Sequence, residues 1–471
     1  METIRKTLAD SKTARWTALA VVAFTMLCGY FLTDVMAPLK PLLEQQLSWS
    51  SEEYGLFTSA YGWFNVFLLM LIIGGIILDK MGVRFTGKMA TMLMVAGTAV
   101  KYWAVSTDIF AGQTWHFLFW DANPQVLIAG LGYAIFGVGV ETAGITVSKI
   151  IVKWFKGKEL ALAMGLEMAS ARIGTGLALA GSAPLAKALG HVSMPVLVAL
   201  ILLCVGMIAF FIYCGMDKKL EASIAQSKEG EPEEEQEESF KLSDILFIIK
   251  NRGWWFIAIL CVLFYSAVFP FLKYAADLMV NKFGMDPATA GLIPSLMPFG
   301  TILLTPIFGN LYDRRGKGAT IMIIGALLLI FVHSMFSIPA VNKPWMALLL
   351  IIVLGIGFSL VPSAMWPSVP KIIPYQKLGT AYALIFWVQN WGLMGVPYLI
   401  GWVLDNYCIT GTRILEGVEV PTYDYTLPMM IFTAFGLLAI VFGFLLKAEN
   451  KRKGYGLEMP NIEEKKVTTD N

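Results

Sequence analysis

Long apolar runs separated by short polar loops dominate the sequence. A bilayer core about 30 Å thick requires about 20 apolar residues per helix, so each run is long enough to cross a membrane once. The predicted spans are 16–38, 54–78, 86–106, 125–150, 159–186, 192–214, 252–280, 288–311, 318–337, 344–371, 377–404 and 426–447. The pattern therefore predicts an all-α membrane protein with twelve transmembrane helices in two groups of six.

A polar stretch separates the two groups and defines the domain organisation. We predict an N-terminal half at 1–214, a linker at 215–251, a C-terminal half at 252–448 and a tail at 449–471. The acidic run Glu229–Glu238 repels itself and predicts a solvated linker, with an acidic binding arm as the alternative. The linker ends in the amphipathic segment Phe240–Lys250, which is typical of a helix lying along a membrane surface.

The distribution of charge predicts the orientation. Most of the 36 Lys and Arg residues fall at the N-terminus, in alternate loops, in the linker and in the tail. Because basic loops stay on the cytoplasmic side, both termini are predicted to be cytoplasmic.

Composition narrows the class of protein further. The chain is 57% hydrophobic and only 15% charged, whereas soluble domains carry about 25% charged residues, which excludes a soluble enzyme. A net charge of +2 gives no reason to expect a nucleic-acid partner. The five cysteines are scattered without metal-ligand spacing, so we predict no metal and no cofactor. We expect a monomer embedded in the lipid bilayer.

The two halves share a motif after their second spans. It occupies Gly75–Arg84 in the first half and Gly309–Gly318 in the second, each with an Asp four residues after the first Gly and cations after it. The charged members that we single out as gating or structural residues are Asp79, Arg84, Asp313 and Arg314. Two six-span halves with this repeat resemble the major facilitator superfamily. The resemblance implies two pseudo-symmetric halves that rock around a binding site at the membrane midplane.

Ionisable residues inside the spans are the strongest functional signal. A charge at the bilayer centre costs at least about 2.5–3.5 kcal/mol, so such residues usually face the protein interior. Glu141 lies near the middle of the fourth span, and Arg172 lies about 20 Å into the fifth. Since consecutive spans are antiparallel, both charges fall near half-depth and are able to face one cavity.

Two interpretations of this pair stay open. Glu141 and Arg172 could form a structural ion pair that holds two helices together. Alternatively, Glu141 binds an ammonium group and Arg172 a carboxylate, which together make a site for a zwitterion. The ends of a dipeptide are separated by up to about 6–7 Å and those of a free amino acid by less, so the gap between the charges would select the cargo.

Two further charges lie nearer the outer ends of their spans. Lys273 precedes Asp277 by one helical turn, so an i,i+4 pair is available, with a lysine that snorkels outward as the alternative. Asp34 is interpreted either as a gating residue or as a contact at a helix end. Glu167, on the same span as Arg172, is assigned to packing or a gate.

Aromatic and amide side chains complete the predicted cavity. Amides within hydrocarbon seek polar partners, and aromatic rings beside a few polar groups make good walls for small ligands. The predicted substrate-binding residues besides Glu141 and Arg172 are Trp63, Tyr265, Trp366, Gln389 and Asn390.

Local motifs narrow the resemblance to one branch of the superfamily. The motifs are Trp154–Leu160, Ala171–Gly174, Phe264–Tyr265 with Val268–Phe271, Lys282–Gly284, and Leu378–Tyr382 followed by Gln389–Asn390. They resemble the dipeptide uniporters typified by an animal lysosomal transporter. The resemblance implies uniport, with an acidic residue of the fourth helix contacting the peptide amine and an arginine of the fifth contacting its carboxylate. Those roles fall on Glu141 and Arg172.

The sequence therefore predicts a transporter of short peptides, not an enzyme. The alternatives are a transporter of organic anions, with or without proton coupling, and a membrane sensor that signals through the linker or tail. The chain contains no Asn-x-Ser/Thr glycosylation site and no acidic dileucine sorting signal at its N-terminus. We therefore expect a prokaryotic plasma (inner) membrane.

Overall fold

The computed structural model describes residues 7–110, 112–116, 121–155, 158–227, 242–374 and 377–461. The predicted acidic run Glu229–Glu238 and residues 462–471 of the predicted tail lie outside this range. The described chain consists mainly of long helices, with two small antiparallel hairpins in loops between them.

The N-terminal half consists of helices that run back and forth between two faces. They are α1 (Lys12–Asp34), α2 (Lys40–Leu47), α3 (Ser51–Ser59), α4 (Trp63–Phe67), α5 (Met70–Ser106), α6 (Pro124–Phe155), α7 (Leu160–Leu189) and α8 (Ser193–Ser227). The strands β1 (Trp115–His116) and β2 (Asp121–Ala122) connect α5 to α6. Helix α8 continues past the predicted boundary at 214, because Asp217 and Glu221 on its extension pair with basic residues of α5 and α6.

The C-terminal half repeats this arrangement. Its helices are α9 (Leu242–Ile249), α10 (Arg252–Phe283), α11 (Leu292–Arg315), α12 (Gly318–Ser337), α13 (Pro344–Ser368), α14 (Leu378–Tyr407) and α15 (Thr426–Lys453). The strands β3 (Ile409–Leu415) and β4 (Val418–Tyr423) form a hairpin between α14 and α15. Asn251 caps the start of α10, where its side chain accepts a hydrogen bond from the Trp254 amide.

Within the described residues, nine helices are long and apolar enough to cross a membrane, and a bent pair adds a tenth span. That pair joins Ser51–Phe67 to Met70–Ser106 with a bend of 55°. Helix α5 is itself divided at Gly82, whose φ of +73° reverses the chain between the second and third spans of the fold. Helix α7 is the fifth span and carries Glu167 and Arg172. The chain thus has the predicted fold of two six-helix halves.

The helices end at two opposite faces of the molecule. The termini face holds Leu8–Asp10 and Gly454–Asn461, and the hairpin face holds β3 and β4. The halves contact each other where α3 packs on α14, α7 on α11, and the segment Ala37–Leu39 on α10. Hydrogen bonds and ion pairs between the halves cluster towards the hairpin face, so the structure is closed there.

Candidate functional site

Close packing of glycines on α6 determines where Glu141 lies. A Cβ atom on Gly137 would come within 2.4 Å of the Tyr61 carbonyl oxygen, so the backbone at Tyr61 sits directly against α6. Glu141 follows one turn later, and the Tyr61 hydroxyl donates a hydrogen bond of 2.6 Å to its Oε1 atom. The carboxylate is only partly buried. It therefore has one fixed donor and room for another partner.

Arg172 faces the opposite half of the molecule. Its helix is held against α1 at Gly174, where a Cβ atom would lie 2.3 Å from the Leu27 carbonyl oxygen. The guanidinium carbon lies 5.2 Å from the centroid of the Phe358 ring and 5.8 Å from that of Phe269. Both rings belong to the C-terminal half. Arg172 thus reaches across the interface between the halves and makes cation–π contacts with its far wall.

Glu141 and Arg172 are not bonded to each other. Among the described residues, no ion pair joins them. Both of their helices pack on the same part of α1: a Cβ atom on Gly29 would lie 3.1 Å from Val140, the neighbour of Glu141, and the Gly174 contact with Leu27 follows Arg172 by two residues. The acid and the guanidinium therefore flank one helix while remaining unpaired. This arrangement differs from the structural ion pair that the sequence left open.

Tyr265 and Trp366 continue the aromatic wall beneath Arg172. The Trp366 indole donates a hydrogen bond of 3.2 Å to the Tyr265 hydroxyl. The Tyr265 ring lies 5.4 Å from that of Phe269 and 5.9 Å from that of Phe358, the two rings under Arg172. The wall is therefore continuous from α13 through α10 to the guanidinium.

The other three predicted pocket residues form hydrogen bonds to residues of their own or neighbouring helices. Gln389 accepts a hydrogen bond from the Cys261 thiol at 3.4 Å, and Asn390 donates one of 2.9 Å to the Phe386 carbonyl. Asn390 is fully buried, and its Oδ1 atom has no partner among the described residues. The Trp63 indole donates to the Ser59 hydroxyl at 3.1 Å, within its own span. None of these contacts involves Glu141 or Arg172.

Lys273 and Asp34 form a buried ion pair between the halves. The Lys273 ammonium lies 2.6 Å from the Asp34 carboxylate and 2.6 Å from the Thr33 carbonyl oxygen. The predicted i,i+4 pairing with Asp277 is thus wrong, and so is the snorkelling alternative, because Lys273 is turned inward. A carboxylate on the facing helix offers Lys273 a closer partner than its own helix does.

Asp277 pairs instead with Lys40, in a cluster that the sequence analysis missed. The Lys40 ammonium lies 2.8 Å from Asp277 and 2.6 Å from Glu44, and the Lys40 and Asp277 side chains are completely inaccessible to solvent. The Tyr425 hydroxyl also donates to Asp277. In the sequence, the four-residue spacing of Lys40 and Glu44 is the spacing of an ion pair along one helix. Both residues lie just beyond the predicted end of the first span.

Charged residues of the repeated motifs form ion pairs and hydrogen bonds at the termini face, each with residues of the same half or of the segment that follows it. Asp79 pairs with Lys149 at 2.8 Å, and Arg84 pairs with Glu221 at 2.6 Å. In the second half, Asp313 accepts a hydrogen bond of 2.8 Å from the side chain of Asn461. Arg314 is exposed.

A second pair of contacts at the termini face joins the start of the described chain to the two residues that precede α7. Lys158 lies 2.8 Å from Asp10, and its hydrogen bond, together with those from Thr7, lowers the pKa of Asp10 from 3.8 to about 2. Arg15 lies 2.9 Å from Glu159. The pKa of Glu159 is lowered by a backbone hydrogen bond and by Arg15. These carboxylates are therefore ionised at neutral pH.

No ligand set for a metal ion is present in the described ranges, since no three His, Cys, Asp or Glu side chains are grouped to form one. The described contacts give the site two opposite charges and an aromatic wall.

Comparison with known families gives one match that covers most of the chain. The model of the Major Facilitator Superfamily matches residues 19–397 and 272–461. The human lysosomal dipeptide transporter MFSD1 is 28% identical over 410 residues, covering 83% of this chain and 80% of the human protein. The chicken protein of the same name is 32% identical over 290 residues, covering 59% of this chain and 62% of that protein.

Solved structures share the fold at low identity. A bacterial homologue of the human lysosomal transporter Spinster, inward-facing and unoccupied, has a TM-score of 0.67 at 14% identity and covers 97% of this chain and all of that one. A mutant of the peptide transporter POT has a TM-score of 0.64 at 14% identity and covers 93% of this chain and 94% of that one.

Proposed function

This chain belongs to the Major Facilitator Superfamily, and we propose that it carries dipeptides across the membrane by alternating access, as a uniporter. The observation that carries the proposal is that Glu141 and Arg172, two opposite charges on helices that pack against the same part of α1, form no ion pair with each other among the described residues. Curated relatives named as dipeptide transporters support the same cargo.

In this proposal Glu141 receives the ammonium group of the cargo. Its carboxylate already accepts one hydrogen bond from Tyr61 and is partly accessible, so an ammonium is able to take a remaining lone pair. A charge-assisted hydrogen bond in a poorly hydrated cavity is stronger than a neutral one. A cargo with a blocked amine loses this contact.

Arg172 receives the carboxylate. Its guanidinium lies over Phe269 and Phe358 and has no carboxylate partner among the described residues, so its planar donors remain available for bidentate binding. The two ends of a dipeptide are up to about 6–7 Å apart, which suits a pair of charges held on neighbouring helices. A dicarboxylate would satisfy Arg172 but repel Glu141.

The remaining predicted pocket residues supply the walls in this proposal. Tyr265 and Trp366 present aromatic surface to the cargo side chains. Trp63, Gln389 and Asn390 support these walls from α4 and α14, where the buried Oδ1 atom of Asn390 keeps an acceptor that has no partner among the described residues.

Alternating access requires gates at both faces. We assign the closed gate of this structure to Asp34–Lys273 and to the Lys40 cluster, which join the halves at the hairpin face. Asp79, Arg84, Asp313 and Arg314 would fix the loops at the termini face, where the opposite gate forms. The abundance of basic residues there favours a cytoplasmic termini face, and we place the protein in a plasma membrane as a monomer.

The proposal is tested by flux into liposomes that contain the purified protein. Ala-Ala should be transported, whereas N-acetyl-Ala-Ala, Ala-Ala-amide, free alanine and succinate should be transported at least tenfold more slowly. A change of internal pH on adding Ala-Ala would contradict uniport. Transport of succinate in preference to Ala-Ala, surviving Glu141→Gln and abolished by Arg172→Ala, would favour an organic-anion transporter instead.

A further inference from the structure

A second buried lysine lies beside the Asp34–Lys273 pair without a carboxylate of its own. Lys101, on α5, is 1% exposed. Its ammonium lies 4.3 Å from the centroid of the Tyr133 ring and 5.0 Å from that of Phe57. In the described part of the chain, no acidic side chain forms an ion pair with it. Lys101, Lys273 and Asp34 therefore lie in one buried region around Tyr133.

Tyr133 connects the three charged groups. Its hydroxyl donates a hydrogen bond of 2.6 Å to the Thr33 carbonyl oxygen, one residue before Asp34. The Lys273 ammonium lies 3.4 Å from the same hydroxyl, and the Lys101 ammonium lies over the ring. Both lysines therefore contact one aromatic side chain, Lys101 at its ring and Lys273 at its hydroxyl.

The two lysines belong to different halves. Asp34, Tyr133 and Lys101 are in the N-terminal half, whereas Lys273 is in the C-terminal half. The contact between α5 and α6 is especially close, because a Cβ atom on Gly132 would lie 2.6 Å from the Lys101 amide nitrogen. Lys101 therefore stays beside Tyr133 when the halves move apart as rigid bodies.

We propose that Asp34 exchanges partners during transport, pairing with Lys273 when the hairpin face is closed and with Lys101 when that face is open. Opening removes Lys273 and would leave Asp34 without a partner in a largely apolar region, which is costly for a carboxylate. Lys101 supplies a partner from within the same half. Its contacts with the two rings are weaker than an ion pair in a low dielectric, so they leave the Lys101 amine able to pair with Asp34 once Lys273 has moved away.

This inference rests on the proposed alternating access and adds a positioning role for Lys101. The test measures the distance between spin labels at Leu189→Cys and Asn342→Cys, which lie on exposed ends of different halves at the hairpin face. Cys204 is replaced by serine in all variants, because the other four native cysteines are buried. Protein in lipid nanodiscs is measured with and without Ala-Ala.

The wild type should show a short and a long distance, which correspond to the closed and open hairpin face. Lys101→Met should reduce the long-distance population about tenfold, and Lys101→Arg should restore most of it. In an Asp34→Asn background, Lys101→Met should have no further effect, because the carboxylate that needs a partner is gone.

Two results would overturn the partner exchange. One is an unchanged long-distance population in Lys101→Met. The other is the same loss in the Asp34→Asn background, which would mean that Lys101 acts through its ring contacts alone. A single distance in the wild type under both conditions would instead contradict alternating access, so the two failures are distinguishable.

Discussion

Replacing Lys40 with methionine tests whether the buried cluster at the hairpin face controls which face is closed. The substitution keeps most of the side-chain volume but removes an ammonium that lies 2.6 Å from Glu44 and 2.8 Å from Asp277. Removing one partner of a fully buried ion pair costs about 3–5 kcal/mol, because an uncompensated charge is left behind. Since Asp277 belongs to the opposite half, this stabilisation exists only while the halves are in contact at that face.

The expected result is a shift of the conformational equilibrium towards an open hairpin face. Protonation of one freed carboxylate reduces the effect, so we use the lower value of about 3 kcal/mol, which corresponds to a change of about 150-fold in the equilibrium constant. The assay is the reaction of a cysteine at Leu39, which is buried in this structure beside the interface, with a membrane-impermeant maleimide. In the Lys40→Met background, that cysteine should be labelled at least 100-fold faster.

Lys187→Met is the matched control. Lys187 also reaches across the halves at the hairpin face, but it lies 3.9 Å from Asp286 and both side chains are more than half exposed. Exposed pairs contribute about 0–1 kcal/mol, so labelling should change by less than about fivefold. Equal labelling rates in the two variants would refute the argument that burial gives the Lys40 cluster its control over this face.

Three further predictions concern the termini face. Asp217→Ala should lower the melting temperature more than replacing any other single acidic residue at this face, because the Asp217 carboxylate is fully buried 2.8 Å from Lys153. A drop no larger than that of Glu449→Gln would argue against this. Asp10→Asn should reduce thermal stability above about pH 4. Because the pKa of Asp10 in the folded protein is lowered to about 2, the difference from the wild type should fade as the pH falls from 3.8 towards 2. A difference that grows on acidification would contradict the pairing of Asp10 with Lys158. Glu458→Gln should cost about 1 kcal/mol in chemical unfolding, since its carboxylate accepts hydrogen bonds from the Thr320 amide and hydroxyl at the start of α12, and an unchanged midpoint would exclude this capping role.

The sequence predicted the fold of two six-helix halves, because the spans follow from the lengths of the apolar runs. The depth of Glu141 and Arg172 in the membrane follows from a fixed rise per residue and stays a prediction. The sequence did not predict rotation about helix axes. Lys273 was therefore given a partner on its own helix, whereas the structure turns it towards Asp34 on another half. The aromatic rings beneath Arg172 were missed for the same reason, since nothing in one helix indicates which ring faces it from another.

Two buried lysines were also missed. Lys40 lies two residues after Pro38, just beyond the predicted end of the first span, and so received no role from the sequence. In the structure α2 continues the span that α1 begins, from Lys12 to Leu47, and Lys40 is completely buried there. Lys101 lies five residues before the predicted end of the third span and drew no attention, although it is buried against two rings. Tyr61 carries no charge, so the charges within the spans gave no sign that its hydroxyl binds Glu141.

The central claim is that Glu141 and Arg172 bind opposite ends of one peptide, and binding of end-blocked peptides to charge variants tests it most directly. Calorimetry would compare Ala-Ala, N-acetyl-Ala-Ala and Ala-Ala-amide on the wild type, Glu141→Gln and Arg172→Gln. The account predicts that Glu141→Gln abolishes discrimination against the acetylated peptide while preserving discrimination against the amide, and that Arg172→Gln does the reverse. If both variants weakened all three peptides by the same factor, the two charges would not read separate ends, and the assignment would be wrong.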